Sequence, residues 1–311
     1  MSNTVKGTVF AVIGAILWGT YGTFVAKLVS YGFSESAIAV LAPTGLILFF
    51  FIMAMLHNPK SMIPTKKQFL IYLFTGIVGV TGTNILYAAA LATGFSVGMA
   101  SVITFANYFI VMIASRFLWK IKITPPKIGA GIIALIGIAM LLQIWTDLSF
   151  SSIGLILVIA TAFTFAFSYT FTKFAFENAG SEPDAFYCWI NLIGFIVTCF
   201  INPPWKLFAE VGTVYSSAGI VAIIVLLGFI LIPQCGSYFF LGRAFQRLEA
   251  PIVVVIYCLD PITSSILGFL FLGQVLSPIQ ILGMLVIIAG LVWLQVSELK
   301  NSQDLPSTPT S

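Results

Sequence analysis

One carboxylic acid stands inside a long apolar run of the sequence. The run contains VIYCLDPITSS, residues 255–265, in which Asp260 directly precedes Pro261. If the run is a membrane helix, Asp260 lies about 15 Å beyond Pro251, near the middle of the bilayer. An ionisable group at that depth costs roughly 2.5–3.5 kcal/mol on insertion scales, so it usually serves a function.

The residue pair Asp260–Pro261 has two interpretations, and they are compatible with each other. Asp260 is a suitable N-cap for a restarted half-helix, with Pro261 at its first helical position. Alternatively, a desolvated carboxyl group that faces a cavity suits a proton carrier or a ligand for a substrate ammonium. A half-helix N-terminus facing the same cavity would polarise it further.

Other polar and aromatic residues recur at helical spacing in the apolar segments. Each of them is also explained by hydrogen bonding between helices, but together they predict a cavity for an amphipathic organic solute. The predicted substrate-binding residues are Trp18, Tyr21, Asn84, Tyr87, Asn107, Tyr108, Tyr169, Gln234, Tyr238, Tyr257 and Asp260. Asp260 is also the predicted proton-coupling residue.

The residue types needed for catalysis or metal binding are scarce. The chain has a single histidine, His57, and four cysteines, all in apolar segments without metal-ligand spacing. It has no Walker A pattern, so energy would come from gradients or substrate exchange. We therefore expect no catalytic residue, no metal site and no cofactor, and we do not expect an enzyme.

The composition indicates which elements position these residues. Of the 311 residues 59% are hydrophobic and 8% are charged, and the mean hydropathy is +1.08. The sequence predicts an all-α polytopic membrane protein with ten transmembrane helices. They are expected at residues 7–29, 34–56, 68–91, 96–119, 125–144, 152–177, 184–201, 216–241, 250–272 and 277–297, with the segment INPPWKLF forming a loop after the seventh.

The distribution of basic residues predicts the orientation. If the N-terminus is cytoplasmic, 12 of the 14 Lys and Arg residues lie on the inner side, and only Lys27 and Lys206 lie outside. Both termini are then cytoplasmic, and the protein is integral to the cytoplasmic (inner) membrane. The net charge of +4 is spread over short loops, so we expect no nucleic-acid partner.

The second half of the chain repeats the first. At a constant offset, residues 101–142 align with residues 254–295, so that Asn107 meets Asp260 and Gly137 meets Gly290. Five helices per unit require the second copy to be inverted in the membrane, around a central cavity. The predicted repeats are residues 1–146 and 147–298, followed by a disordered cytoplasmic tail, residues 299–311.

Three stretches resemble the drug/metabolite transporter superfamily, in its ten-helix EamA-type branch. They are WGTYGTFVAK, AAALATGFSVGMASVI and LEAPIVVVIYCLDPITSSILGFLFLGQVLSPIQILGMLVIIAGLVWL. The resemblance covers about residues 5–297. It implies two inverted five-helix repeats around a cavity, and carrier-mediated movement of small metabolites, often export.

The expected function is therefore secondary-active transport, by alternating access, of small organic metabolites such as amino acids, in the export direction. A facilitator and a flippase for lipid precursors are alternatives, whereas a channel or a membrane-embedded enzyme is less favoured. The expected partners are a small-molecule substrate, membrane lipid and, if transport is coupled, protons. The glycines of the fifth and tenth helices fit either a monomer or a homodimer.

Overall fold

The computed structural model describes residues 3–201 and 203–303, and within these ranges the regular structure is entirely helical. Ten apolar helices confirm the predicted fold class, and nine of them are long and apolar enough to span a bilayer, α5 being the shorter one. The ten helices are α1 Asn3–Ser30, α2 Glu35–His57, α3 Lys66–Ala92, α4 Val97–Trp119, α5 Pro125–Leu141, α6 Ser152–Asn178, α7 Pro183–Ile201, α8 Ile220–Phe245, α9 Ala250–Leu272 and α10 Pro278–Gln303.

The helix ends follow from local sequence. Ser34 and Ser151 accept hydrogen bonds from the backbone three residues on, and Thr65 forms a reciprocal capping box with Gln68. These side chains satisfy backbone N–H groups that a helix leaves without partners in its first turn. The helices consequently start where hydroxyl residues precede an apolar run.

The helix packing repeats with the period that the sequence predicted. Helix α1 packs on α8 and α9, while α6, five helices later, packs on α3 and α4. Helices α2 and α7, α4 and α9, and α5 and α10 pack on each other. This pattern is unchanged when each helix is exchanged with its counterpart five helices away, as expected for two related five-helix units.

The interruptions of the helices follow the same repeat. Helix α4 is interrupted at Ala106, immediately before Asn107, and α9 contains a 3-10 turn, Tyr257–Leu259, immediately before Asp260. Helices α4 and α9 end at residues in the left-handed region, Lys120 with φ 56° and Gly273 with φ 68°. The matched interruptions place Asn107 and Asp260 at equivalent positions in the two repeats.

Two further interruptions are wide turns in equivalent helices. Helix α3 contains a π-helical stretch, Thr75–Gly82, and α8 contains another, Ile230–Gly236, which includes Pro233. Such wide turns often occur at functional sites. Here they are followed directly by the parts of α3 and α8 that carry Thr83 and Ser237.

The structure corrects the sequence prediction at two places. The segment after α7 is not a loop: residues Pro204–Ala218 form a helix, which we call the connecting helix, and α8 starts at Ile220 rather than at residue 216. Proline at its first position favours this helix start. In addition, α10 continues to Gln303, so residues 299–303 of the predicted disordered tail are helical. The rest of that tail, residues 304–311, lies outside the described residues.

Candidate functional site

A cavity lies between α1, α3, α4, α6 and α9. Its volume is about 210 Å³, and it combines hydroxyl, amide and carboxylate groups with aromatic rings. Its lining residues are Trp18, Thr83, Asn84, Tyr87, Ser101, Thr104, Phe105, Asn107, Phe165, Tyr169, Tyr257 and Asp260. We call it the main cavity.

A second cavity of about 110 Å³ shares one wall with the main cavity and extends between α6, α7 and α8. The shared wall consists of Trp18, Thr83, Asn84, Phe165, Tyr169 and Tyr257. The second cavity is also lined by Gly79, Val80, Ser168, Thr172, Tyr187, Ile190, Ser237, Tyr238 and Leu241. We call it the side cavity.

The fold brings most of the predicted substrate-binding residues together. Those that line one or both cavities are Trp18, Asn84, Tyr87, Asn107, Tyr169, Tyr238, Tyr257 and Asp260. They come from six helices and from both repeats. Their convergence at one place could not be read from any single helix.

Three of the predicted residues lie elsewhere. Tyr108 is 2% exposed and donates a hydrogen bond of 2.7 Å to the Lys127 carbonyl, so its hydroxyl links α4 to α5. Tyr21 packs against Phe229 and stacks behind Trp18. Gln234 is buried in the π-helical stretch of α8 and lines neither cavity. Helical spacing identified polar residues within the apolar helices, but it did not show which neighbour each of them meets.

The main-chain geometry at Asp260 contradicts the capping interpretation. Asp260 is the first residue after the 3-10 turn, with φ −50° and ψ −58°, and no side chain caps the helix start that follows it. Its own N–H donates to the Tyr257 carbonyl, which would otherwise lack a partner because Pro261 has no N–H. The helix therefore narrows to a single 3-10 turn at this point and is not unwound. The Asp260 carboxylate is not used to cap the helix.

The Asp260 carboxylate faces the main cavity without a partner. Within the described ranges, no hydrogen bond or ion pair to this side chain is present. The backbone of α9 is fixed here by α1, because a Cβ atom on Gly19 would come within 2.8 Å of the Asp260 carbonyl oxygen. Gly19 thus permits close contact between α1 and α9 beside the acid.

The equivalent position in the first repeat carries a neutral amide. The Asn107 side chain donates from Nδ2 to the Thr104 carbonyl at 2.7 Å, while its Oδ1 is buried without a hydrogen-bond partner among the described residues. The Thr104 hydroxyl is likewise buried without a hydrogen-bond partner among the described residues. A buried polar atom without a partner costs about 1–3 kcal/mol, so a bound molecule that supplies the missing bond gains affinity.

Hydrogen bonds between helices hold part of the cavity wall in place. The Tyr257 hydroxyl lies 3.2 Å from the Ser237 hydroxyl, which donates to the Gly14 carbonyl at 2.9 Å. Thr83 donates to Thr164 at 2.9 Å. The first network joins α9, α8 and α1, so the Tyr257 ring has a fixed position in the wall.

The eleven predicted residues leave out nine polar or aromatic residues that line the cavities. They are Thr83, Ser101, Thr104, Phe105, Phe165, Ser168, Thr172, Tyr187 and Ser237. Thr83 lies four residues before the predicted Tyr87, so it shares a helix face with Tyr87 and could have been found. Tyr187 had no such signal, because only the packing of α7 against α8 brings it to the side cavity.

Ion pairs close the bundle at the end that carries the turns 58–65, 120–124, 179–182 and 246–249, which we call the charged end. Asp184 on α7 contacts His57 on α2 at 3.0 Å and Arg243 on α8 at 3.6 Å. The buried Lys127 on α5 contacts Glu249 at 2.6 Å and Glu298 at 3.7 Å. These contacts join helices from both repeats.

Lys173 lies at the same end, one residue beyond the cavity-lining Thr172. Its Nζ atom donates to the Phe245 carbonyl at 2.6 Å, which joins α6 to α8, and contacts Glu177 at 2.6 Å. Glu177 is on the same helix as Lys173, so the Lys173–Glu177 pair cannot by itself connect two moving parts. The contact between helices is the one to Phe245.

The described residues contain no group of three or more His, Cys, Asp or Glu side chains arranged to hold a metal ion. Cys188, Cys235 and Cys258 are buried free thiols, and Cys199 is a partly exposed one. The chemistry available in the cavities is therefore hydrogen bonding, aromatic packing and the charge of Asp260.

An apolar ten-helix bundle around a polar cavity is the architecture of an integral membrane transporter. The chain matches the EamA-like transporter family over residues 5–143 and again over residues 152–295, and it belongs to this family. The family match confirms the resemblance noted from the sequence.

Two individual proteins are similar to this chain over nearly its whole length. The protein of Bacillus subtilis (strain 168) named "Uncharacterized transporter YwfM" is 23% identical over 303 residues, covering 94% of this chain and 95% of that protein. A solved structure described as "Crystal structure of protein" superposes with a TM-score of 0.75 at 13% identity, covering 94% of this chain and 98% of that one. The second likeness concerns the fold alone.

Proposed function

We propose that the protein is a secondary-active carrier that moves a small organic metabolite through the two cavities by alternating access. The observation that carries this proposal is the Asp260 carboxylate, which faces the main cavity without a hydrogen-bond or ion-pair partner among the described residues. Membership of a transporter family and matched packing of two five-helix units support it. Inverted repeats permit one site to face each side of the membrane in turn.

In this mechanism Asp260 binds either a proton or the solute. A carboxylate in a site of low dielectric gains strongly from a neutralising charge, so an unoccupied, ionised site is unfavourable. Occupation of Asp260 therefore lowers the cost of exposing the cavity to the other side. Gly19 lets α1 approach the Asp260 backbone closely, so a shift of α9 at Asp260 would also move α1 in this mechanism.

The finer parts of the proposal are export, metabolites such as amino acids, and a cytoplasmic-membrane location with both termini inside. Family membership supports a membrane transporter, and the excess of Lys and Arg at the charged end supports the orientation. A facilitator, in which Asp260 binds solute without moving protons, is the second candidate. It is favoured by the same free carboxylate, and the experiment below separates the two.

The test is uptake of labelled metabolites into proteoliposomes, with and without an imposed pH gradient. We expect the wild type to show saturable uptake that the gradient drives, and Asp260→Asn to lose gradient-driven uptake, because an amide cannot carry a proton. Asp147→Asn makes the same chemical change at an exposed position remote from the cavities and should behave like the wild type.

Three results would count against the proposal in different ways. Identical gradient response in wild type and Asp260→Asn would remove Asp260 from proton coupling. Saturable uptake that ignores the gradient in both would identify a facilitator. Uptake that never saturates, for any solute, would contradict a carrier altogether.

A further inference from the structure

The charges around the two cavities are strongly asymmetric. Among the described residues, Asp260 is the only acidic one that lines either cavity, and no Lys, Arg or His lines them. The remaining polar groups are neutral amides and hydroxyls. When Asp260 is ionised, no Lys, Arg or His among the described lining residues balances its negative charge.

Both buried lysines among the described residues are already engaged at the charged end. Lys173 is held by the Phe245 carbonyl and Glu177, and Lys127 is held by Glu249 and Glu298. Neither residue lines a cavity. A substrate carboxylate in the main cavity would thus lie near Asp260 without a protein cation, and repulsion between the two carboxylates is strong in a medium of low dielectric.

The aromatic rings favour a cation at the same place. Six of the twelve residues around the main cavity are aromatic: Trp18, Tyr87, Phe105, Phe165, Tyr169 and Tyr257. The faces of aromatic rings attract ammonium groups, and several rings around one space form the type of site that holds organic cations. The rings also provide the apolar surface for an organic body attached to the ammonium.

Several of these rings are held in place in the absence of a solute. Trp18 is stacked on Tyr21 at 5.4 Å between ring centroids and meets the edge of Tyr238 at 5.8 Å. The Tyr257 hydroxyl is engaged by Ser237. The aromatic wall therefore needs little ordering when a solute enters, which favours binding.

We propose that the transported solute is an organic amine, with a protonated or quaternary ammonium group and no carboxylate. This inference rests on the proposed carrier function, but it replaces the amino acids named there with amines as the substrate class: the ammonium pairs with Asp260, and the organic body lies against the aromatic wall. Zwitterionic amino acids and organic acids are excluded by the uncompensated carboxylate that they would bring into the cavity.

The experiment uses three probes that share a phenyl ring and differ in charge: phenethylamine, phenylalanine and 3-phenylpropionate. Each is tested for uptake into proteoliposomes, and for a shift in the thermal unfolding of the purified full-length protein. Choline is a fourth probe, because it carries a permanent charge and has no proton to donate to Asp260.

We expect phenethylamine or choline to be taken up saturably and to raise the unfolding temperature, while phenylalanine and 3-phenylpropionate do neither. Asp260→Asn should weaken amine binding roughly 10- to 100-fold, the usual value of a hydrogen bond to a charged group. Trp18→Leu should weaken it by several-fold, whereas Trp18→Phe, which keeps an aromatic ring, should weaken it less.

Three other outcomes would each reject a specific part of this proposal. Saturable uptake of phenylalanine or 3-phenylpropionate, with no uptake or binding of the amines, would reject the amine class and leave the carrier function intact. Amine binding that Asp260→Asn does not weaken would reject the assigned ligand. Absence of saturable uptake and binding for all four probes would reject the amine inference, while a wider metabolite panel still tests the carrier function.

Discussion

At the scale of single residues, neighbouring positions on one helix have different roles. Asn107 and Tyr108 are neighbours on α4, and both were predicted to bind the solute. Asn107 faces the main cavity, whereas the Tyr108 hydroxyl bonds the backbone of α5. One step along a helix turns a side chain by about 100°, which is enough to separate a site residue from a structural one.

Tyr108→Phe tests this distinction. Loss of the bond to the Lys127 carbonyl should lower stability by about 0.5–1.5 kcal/mol, because the carbonyl loses its partner. The KM for the transported solute should not change. Thermal unfolding in detergent and uptake kinetics measure the two effects, and a several-fold rise in KM at unchanged stability would place Tyr108 in the site after all.

At the scale of elements, the pair of α5 and α10 is a rigid support. A Cβ atom on Gly137 would lie 2.8 Å from the Gly283 carbonyl oxygen, and one on Gly283 would lie 2.7 Å from the Gly137 carbonyl oxygen. The two backbones can approach this closely because both residues are glycine, and small residues permit such close packing between membrane helices. Gln280 adds a hydrogen bond to the Leu141 carbonyl, and Gln143 bonds Ser277. Neither helix contributes a lining residue to the cavities.

Gly137→Ala should therefore destabilise the protein by about 1–3 kcal/mol, because the added methyl group meets backbone on the partner helix and neither helix can yield without the other. Gly212→Ala on the connecting helix is the matched control, since nothing lies within 4 Å of its added methyl group. The control should be neutral or slightly stabilising, as alanine favours helix. Equal unfolding temperatures for the two variants would contradict the close packing.

At the scale of the whole molecule, the two ends of the bundle differ in charge. The charged end carries the ion pairs of Asp184, Lys127 and Lys173 with their partners. At the opposite end, the connecting helix is held to the start of α2 by hydrogen bonds from the Ser34 backbone and side chain to Glu210. The proposal that the charged end is cytoplasmic depends on the excess of Lys and Arg at this end, and it is open to a direct test.

Single-cysteine labelling checks the orientation. In a protein whose four native cysteines are replaced by alanine, Lys60→Cys marks the charged end and Asp147→Cys the opposite end, and both positions are exposed. An impermeant thiol reagent should modify Asp147→Cys in intact cells and Lys60→Cys only after permeabilisation. The reverse pattern would invert the proposed orientation.

The sequence by itself determined the class of the fold. An apolar run of about 20 residues identifies each membrane span. A bilayer offers no hydrogen-bond partner to backbone groups, so a run of this length must satisfy them internally, as a helix does. The repeat was also readable, since Asn107 and Asp260 align at a constant offset that the interruptions of α4 and α9 reproduce. The connecting helix was missed because Pro203 and Pro204 resemble a loop signal, although proline is also favoured at a helix start.

Only the tertiary structure decided which polar faces form the cavity. In a membrane helix nearly every face is apolar, so periodicity does not distinguish a side chain that faces a cavity from one that faces a neighbouring helix. Tyr108 and Asn107 illustrate this limit, and so does Tyr187, which reaches the side cavity through the packing of α7. The free carboxylate of Asp260 was likewise undecided until the backbone at Pro261 was seen to satisfy itself without the side chain.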